Sequence, residues 1–199
     1  MLTVIIPTLN SEQGLAHLLA SLVPGAADGV IREVVVADGG STDGTAVVAE
    51  AAGCAFQPSG LPLGARLAAS SRAALRGGWF LFIHPAVVLP PGWHGEVAAF
   101  IDRQALSHAG AQRAAVFRRA RASGGGSAAL ARAPAALMRR GLPHPEQGLL
   151  ISRALYWQLG GHAPVADGAE AELYRRIGRR RLATLGATAL PTPAGRLGN

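Results

Sequence analysis

The sequence has one cysteine, no lysine and few aromatic residues. Because Cys54 has no second cysteine to pair with, an intramolecular disulfide is excluded, and a reducing compartment such as the cytoplasm is expected. All 19 basic residues are arginines, and they give the chain a net charge of +7. Aromatic residues make up only 5% of the chain, which argues against a stacking surface for nucleic-acid bases.

Long apolar runs are also missing. The most apolar stretch, 79–91, is interrupted by Pro85 and is too short to cross a bilayer. No basic leader precedes an apolar segment, so we expect no signal peptide. These absences predict a cytoplasmic protein.

The chain does have enough length and apolar content for one globular domain, with 199 residues of which 49% are hydrophobic. Short apolar runs alternate with amphipathic segments along it. The predicted strands are 2–6, 31–37, 54–57, 79–83 and about 112–119. The predicted helices are 45–52, 63–76, about 93–107, and a first helix that ends at Val23 and begins with a capping box of Asn10 and Gln13. This alternation predicts an α/β fold, with a Rossmann-like, mostly parallel central sheet flanked by helices on both faces.

Polar and flexible residues crowd the end of the second predicted strand, in the sequence VVVADGGSTDGT at 34–45. In open α/β sheets, ligands bind outside the carboxyl ends of the strands. We therefore expect a ligand site here, where Gly39 and Gly40 would let a ligand approach the backbone closely. In a purely structural alternative, Asp38, Ser41 and Asp43 only cap the helix that follows.

Four segments in order along the chain resemble the family 2 glycosyltransferases. TVIIPTLN and VVVADGGSTDGT resemble the N-terminal half of the family, LFIHPAVVLPPGW resembles its metal-binding segment, and QGLLISRALYWQLGGHAPVADGAEAELYRRI resembles its acceptor-side segment. The resemblance implies a GT-A fold in a single domain, with a nucleotide-binding half at 1–90 and an acceptor-side half at 91–199. It also implies transfer of a sugar from a nucleotide-diphosphate sugar to an acceptor.

The resemblance further implies which residues hold the donor. Asp38 would contact the base, beside a wall of polar groups at the strand ends. Arg66, which resembles the family's arginine on the third predicted helix, would stabilise the diphosphate. The implied donor-binding residues are Pro7, Thr8, Asp38, Gly39, Gly40 and Arg66.

The chain departs from the family at the metal-binding segment. The family carries an aspartate where this chain has Ala86, and an alanine side chain cannot bind a metal. The divalent ion that the family implies, Mg²⁺ or Mn²⁺, therefore loses a ligand here. His84 is the remaining candidate, although hard Mg²⁺ prefers oxygen ligands, and a structural role for His84 is the alternative.

A second departure concerns the catalytic base. The family pattern of Glu-Asp, one residue and Glu-Leu reads AEAEL at 169–173 in this chain. Glu170 stands where the base is expected, and a carboxylate one methylene longer still takes a proton. Its alternative role is that of an acid favoured in the first turn of a helix. Because residues 170 and 172 point about 200° apart around a helix, we predict that Glu170 faces the cleft and that Glu172 pairs with Arg175 or Arg176 at the surface.

Three functions follow as hypotheses. The first is a glycosyltransferase that works without the usual metal, on an acceptor that is lipid-linked or a saccharide. The second is a degenerate homologue that binds a nucleotide or a partner protein. The third is a nucleotidyltransferase, which is disfavoured because such enzymes generally use a Gly-rich loop after the first strand and a lysine, whereas this chain has PTLN and no lysine.

Arginine clusters at 118–121, 139–140 and 179–181 suggest a possible contact surface. Without an aromatic platform, we interpret them as solvated surface rather than as a nucleic-acid site. A peripheral contact with anionic lipid is the second interpretation, and the segment 128–141 is a candidate amphipathic helix for it.

Overall fold

The computed structural model describes residues 1–106, 112–120 and 142–192. The candidate amphipathic helix at 128–141 and the arginines at 121, 139 and 140 lie outside these residues. Within the described part of the chain, no helix is both long and apolar enough to cross a bilayer.

Strands and helices alternate through most of the described chain. The strands are β1 (Leu2–Thr8), β2 (Ile31–Asp38), β3 (Ala55–Pro58), β4 (Trp79–Phe82), β5 (Val87–Val88), β6 (Ala114–Arg119), β7 (Leu149–Ser152) and β8 (Leu182–Pro191). The helices are α1 (Glu12–Ala27), α2 (Thr45–Ala51), α3 (Leu63–Ala73), α4 (Trp93–Leu106), α5 (Arg153–Gln158) and α6 (Ala169–Ile177). Single 3-10 turns occur at Pro145–Gln147 and Arg179–Arg181.

The strands form one sheet in the order β3-β2-β1-β4-β7-β6-β8-β5. The first four are parallel to one another, and β6 is parallel to β8. β7 is antiparallel to both of its neighbours, and the short β5 is antiparallel to the end of β8. The predicted α/β fold with a mostly parallel central sheet is confirmed, whereas β5, β7 and β8 were not predicted as strands.

Helices cover both faces of the sheet, each over its own apolar cluster. One cluster lies under α1, α2 and α4 and includes Leu15, Leu18, Trp93 and Val97. The other lies under α3, α5 and α6 and includes Leu67, Leu155 and Leu173. Burying one such aliphatic side chain stabilises the fold by about 1.5–3 kcal/mol. Because helices cover both faces, the central strands are buried on both sides and consist mainly of apolar residues. β1, for example, is buried over its whole length.

The predicted capping box at the start of α1 is wrong. The helix begins after Ser11 and has no side-chain cap. Asn10 instead takes a positive φ of 47°, and its Oδ1 accepts a hydrogen bond from the backbone N–H of Thr42 at 2.8 Å. A long-range contact with the loop after β2 has taken the place of the local cap.

The connection from α3 to β4 packs against the start of β1. α3 ends at Ala73, earlier than predicted, because Ala74 adopts extended backbone angles. Gly77 has a φ of +90°, and a Cβ at this position would lie 3.0 Å from the backbone of Met1 and Thr3. The glycine is therefore required by both its backbone angle and its close neighbours.

Candidate active site

Asp38 ends β2 and is 1% exposed. Its Oδ1 accepts hydrogen bonds from the hydroxyls of Thr8, at 2.8 Å, and Ser41. Its Oδ2 accepts from the backbone N–H groups of Gly40 and Ser41, both at 2.8 Å. A carboxylate offers about four acceptor positions, so the protein itself uses all that Asp38 has.

These hydrogen bonds also keep Asp38 ionised. Burial raises the pKa of its carboxyl group, but the hydrogen bonds from Ser41, Thr8 and Gly40 outweigh burial and leave the pKa below its ordinary value. The negative charge is thus held in place at the end of the strand.

The loop after β2 is fastened to the start of α1 on both sides. The backbone N–H of Asn10 donates to the Ser41 hydroxyl at 2.8 Å, and that of Glu12 donates to Asp43 at 3.1 Å. Asp43 also accepts from the backbone N–H of Thr45 at 3.0 Å, although α2 itself has no side-chain cap. Ser41 and Asp43 therefore both brace the loop, and Asp43 also binds the first backbone N–H of α2, which is part of what the structural alternative expected.

Arg66 of α3 lies beneath this loop. Its Nη1 donates to the carbonyl oxygens of Thr8, at 3.1 Å, and Ala37, at 2.8 Å, and so joins the ends of β1 and β2. A Cβ on Gly39 would lie 2.8 Å from this nitrogen, so a larger residue there would push the Arg66 guanidinium aside. Burial lowers the pKa of Arg66, and the charge of Asp38 opposes that shift.

The remaining predicted donor-binding residues lie around the same strand ends. Pro7 and Thr8 are buried at the end of β1, level with Ala37 and Asp38 of β2. Gly40 has a φ of +94° and open space where a Cβ would point. The structure thus brings all six predicted donor residues to one edge of the sheet.

His84 and Glu170 meet across the cleft, although 86 residues separate them in the sequence. His84 follows β4 and Glu170 lies in the first turn of α6, and their Nε2 and Oε1 atoms are 3.0 Å apart. The side chains are 28% and 15% exposed, so the pair remains reachable from solvent. Burial lowers the pKa of His84, but the hydrogen bond and charge of Glu170, with the charge of Glu146, outweigh burial and raise it.

The residues after β4 do not fit the family's divalent metal. Ala86 offers no donor atom, and Nε2, one of the two ring nitrogens of His84, is engaged by Glu170. Among the residues that the structure describes, no group of three or more His, Cys, Asp or Glu side chains is arranged to hold a metal ion. One imidazole and one carboxylate are a poor set for Mg²⁺ or Mn²⁺, which take mostly oxygen ligands.

Glu172 lies on the other side of α6 and forms an ion pair with Arg176. Arg176 also donates to the carbonyl oxygens of Leu159 and Gly161, so it ties the helix to the segment before it. Glu170 and Glu172 therefore point in different directions, as the helical geometry predicted.

Sequence reasoning missed a buried polar cluster behind the cleft. His162 is 3% exposed, and its Nδ1 lies 2.9 Å from the hydroxyl of Tyr156, which is also 3.3 Å from the hydroxyl of Ser71. The Nε2 of His162 is buried, and the described residues provide no hydrogen-bond partner for it. Burial lowers the pKa of His162 to about 4. Two glycines before a histidine give no local signal that its ring will be buried.

Two open cavities flank the sheet, and neither is lined by Asp38, His84 or Glu170. One of about 590 Å³ lies between α4 and β8. The other, of about 500 Å³, lies between α3 and the segment 160–164, beside Glu172 and Arg176. Neither of these two cavities therefore coincides with the candidate site at the ends of β2 and β4.

A family model described as glycosyl transferase family 2 matches residues 3–128. The chain belongs to this family. Its membership accounts for the loop after β2 and gives the chain a glycosyltransferase-like function. Among curated proteins, no sequence matches the chain significantly.

Solved structures of other proteins share the fold of this chain. The chain is similar to glucosyl-3-phosphoglycerate synthase from Mycobacterium tuberculosis, with 24% identity, a TM-score of 0.64, and coverage of 100% of this chain and 75% of that one. It is also similar to TarS of S. aureus, with 19% identity, a TM-score of 0.67, and coverage of 95% of this chain and 60% of that one. At these identities the likeness shows the fold.

Proposed function

We propose that the chain transfers a sugar from a nucleotide-diphosphate sugar to an acceptor hydroxyl, with residues 1–90 binding the nucleotide and residues 91–199 facing the acceptor. The observation that carries this proposal is the contact between Glu170 and His84. It brings a carboxylate from the acceptor-side half to the strand-end edge where Asp38 and Gly40 lie. Structures of the mycobacterial synthase contain Mn²⁺ with UDP-glucose, which supports a nucleotide sugar as the donor class.

In this proposal, Glu170 works with His84 as the proton acceptor. The acceptor oxygen forms a bond to the anomeric carbon of the sugar while the bond from that carbon to the diphosphate breaks. The hydroxyl proton passes to the Glu170–His84 pair, and the nucleoside diphosphate leaves. Arg66 would supply positive charge beneath Gly39, where a diphosphate could approach the backbone.

A second candidate is a homologue that binds a nucleotide or a partner without transferring sugar. Two observations favour it, namely the absence of a ligand at Ala86 and the full use of Asp38 by its own loop. Losing a metal removes a source of transition-state stabilisation that usually amounts to several kcal/mol. We propose a lipid-linked or saccharide acceptor for the first candidate, and a cytoplasmic location for both.

The experiment that separates the candidates compares Glu170→Gln with Glu172→Gln. Turnover of a panel of UDP- and GDP-sugars, measured as release of the nucleoside diphosphate, should fall by roughly 10²–10⁴-fold in Glu170→Gln, because a general base contributes about that much. Glu172→Gln removes only a partly exposed ion pair with Arg176 and should keep most of the activity.

Two results would count against this assignment. If Glu172→Gln were the inactive variant and Glu170→Gln the active one, Glu170 would not be the base. If the natural protein bound the nucleotide but turned over no nucleotide sugar, the second candidate would replace the first.

A further inference from the structure

The sheet has two edges of different character. β1, β2, β4, β6 and β8 all run in one direction, so their carboxyl ends share the edge that carries Asp38 and His84. Their amino ends share the opposite edge, here called the amino edge, together with the end of β7. The seven residues of β1 separate the two edges by roughly 20 Å at about 3.3 Å per residue.

Exposed arginines gather on the amino edge from four separate parts of the chain. They are Arg32, Arg76, Arg113, Arg179, Arg180 and Arg181. Strand pairing brings them together, since Ala114 is level with Leu182, which places Arg113 beside the turn that holds the last three. The Nε of Arg32 contacts the sulfur of Met1 at 3.1 Å, beside the connection that carries Arg76.

In the part of the chain that the structure describes, fewer carboxylates than arginines lie on or beside this edge. Glu33 is half-buried and accepts from the hydroxyl of Thr3, at 3.2 Å, and the backbone N–H of Arg76, at 3.3 Å. Asp28 pairs with His94 at 2.9 Å. Glu50 and Asp102 lie on helices at the flanks of the edge. The six exposed arginines therefore outnumber these four carboxylates and give the edge a net positive charge.

Apolar side chains project between these charges. Leu75 precedes Arg76 and is 83% exposed, and Leu106 at the end of α4 is 83% exposed as well. Single exposed leucines are ordinary, but leucines flanked by arginines match the composition of surfaces that rest on a bilayer. There the apolar side chain enters the boundary of headgroups and acyl chains while the cations meet anionic headgroups.

We infer that the amino edge is a docking surface for an anionic lipid bilayer. A nucleic acid is the other polyanion to consider, but among the described residues the aromatic side chain at the amino end of β4 does not favour it. Trp79 is half-buried and packs against Phe100 with ring centroids 5.9 Å apart, so it offers no face for stacking a base. Leu75 gains nothing against a phosphate backbone, whereas it gains from burial in lipid.

The test is co-sedimentation with vesicles of phosphatidylcholine alone or mixed with phosphatidylglycerol. The natural protein should bind only the anionic vesicles, and salt should weaken the binding. Arg179→Gln with Arg180→Gln should weaken it at least about tenfold, since each basic residue near the surface contributes roughly a factor of five. Arg118→Gln with Arg119→Gln removes the same charge from exposed positions far from the amino edge and should leave binding nearly unchanged.

Leu75→Ser tests the apolar contribution separately from the charges. This variant should lower the binding that persists at high salt. The inference is overturned if anionic vesicles do not bind, or if both arginine pairs weaken binding equally. It is overturned as well if a DNA duplex binds more tightly than vesicles at equal phosphate concentration. None of these outcomes depends on sugar transfer, so the inference stands or fails independently of the proposed function.

Discussion

At the scale of single residues, the candidate site keeps one position of the family pattern, Asp38, and departs from it at another, Ala86. Asp38 keeps the family's position at the end of β2, yet its oxygens are bound by Thr8, Gly40 and Ser41. A nucleotide base that binds Asp38 must therefore displace one of these hydrogen bonds, or share a carboxylate oxygen with one of these donors. Ala86, in contrast, departs from the family. Its side chain is exposed but has no atom that can bind a metal or a hydrogen-bonding group.

A first prediction at this scale concerns Ala86. We expect Mn²⁺ to raise the nucleotide affinity of the natural protein by less than about tenfold, or about 1.4 kcal/mol, in calorimetric titrations with UDP and GDP. Ala86→Asp should create a metal dependence, since the exposed position can accept a carboxylate without a clash. Ala86→Asn is the control of similar size without the charge. A gain well above tenfold on adding Mn²⁺ to the natural protein would contradict the prediction.

A second prediction concerns His162, whose pKa is lowered to about 4 by burial from an ordinary 6.5. The unfolded chain takes up a proton as the pH falls through 6.5, whereas the folded chain does not until the pH is near the lower value. The stability contribution of neutral His162 is therefore complete above the higher value and declines below it. Between about pH 7 and about pH 5 the loss should be about 2 kcal/mol.

Urea unfolding of the natural protein and of His162→Gln at both pH values measures this effect. The variant should lose about 2 kcal/mol less than the natural protein over the same interval. His17→Gln is the matched control, because it makes the same change at an exposed histidine. Equal pH dependence in all three proteins would show that His162 does not titrate as described.

At the scale of the elements, the close approach of α3 to the segment before α6 rests on one glycine. The backbone N–H of Gly64 donates to the carbonyl of Val165 at 3.0 Å. A Cβ on Gly64 would lie 1.8 Å from the carbonyl oxygen of Ala163 and 2.9 Å from the Cβ of Ala169. Neither contact can be relieved by turning a flexible side chain, so α3 or the segment would have to move.

We therefore expect Gly64→Ala to destabilise the protein by about 1–3 kcal/mol or more, as overpacking typically does. Gly95→Ala is the matched control, because Gly95 lies inside α4 with open space around its Cβ position. That change should stabilise the protein by up to about 1 kcal/mol through helix propensity. Denaturant midpoints measure both, and a loss of stability in Gly95→Ala or none in Gly64→Ala would contradict the prediction.

Local pattern predicted the elements better than it predicted their partners. The apolar runs of β1, β2 and β4 and the periodicity of α3 were recognised because their residues repeat at the right spacing. β7 was missed because LLIS is short and carries no sign that it inserts antiparallel between β4 and β6. The failed cap at Asn10 has a similar cause, since its partner Thr42 lies 32 residues away.

The same distinction applies to the candidate site: features set by local sequence were predicted, and contacts set by tertiary packing were not. Asp38, Gly39 and Gly40 were placed at the sheet edge by sequence position alone, and the opposite directions of Glu170 and Glu172 followed from helical geometry. The contact of Glu170 with His84 could not be predicted, because it depends on how α6 is set against the end of β4. The buried pair of His162 and Tyr156 was hidden for the same reason.

At the scale of the whole molecule, the two sheet edges separate two kinds of chemistry. Carboxylates such as Asp38, Asp43 and Glu170 lie at the carboxyl edge, while exposed arginines crowd the amino edge. If the amino edge rests on a bilayer, the candidate site faces away from the lipid. This arrangement favours a saccharide acceptor in solution over one whose reactive end stays at the membrane surface.

The long span between His84 and Glu170 has a consequence for how the protein is made. During synthesis, β1 to β4 can pair as they leave the ribosome, because the parallel pairs that they form with one another lie within the first 82 residues. The pairing of β4 with β7 is made later. Glu170, the partner of His84, is synthesised 86 residues later. The partner of Val87 in β5 is Pro191 of β8, which is separated from it by an even longer stretch of chain. A nascent chain halted before α6 would therefore carry the loop after β2 in place, while the contact of His84 with Glu170 did not yet exist.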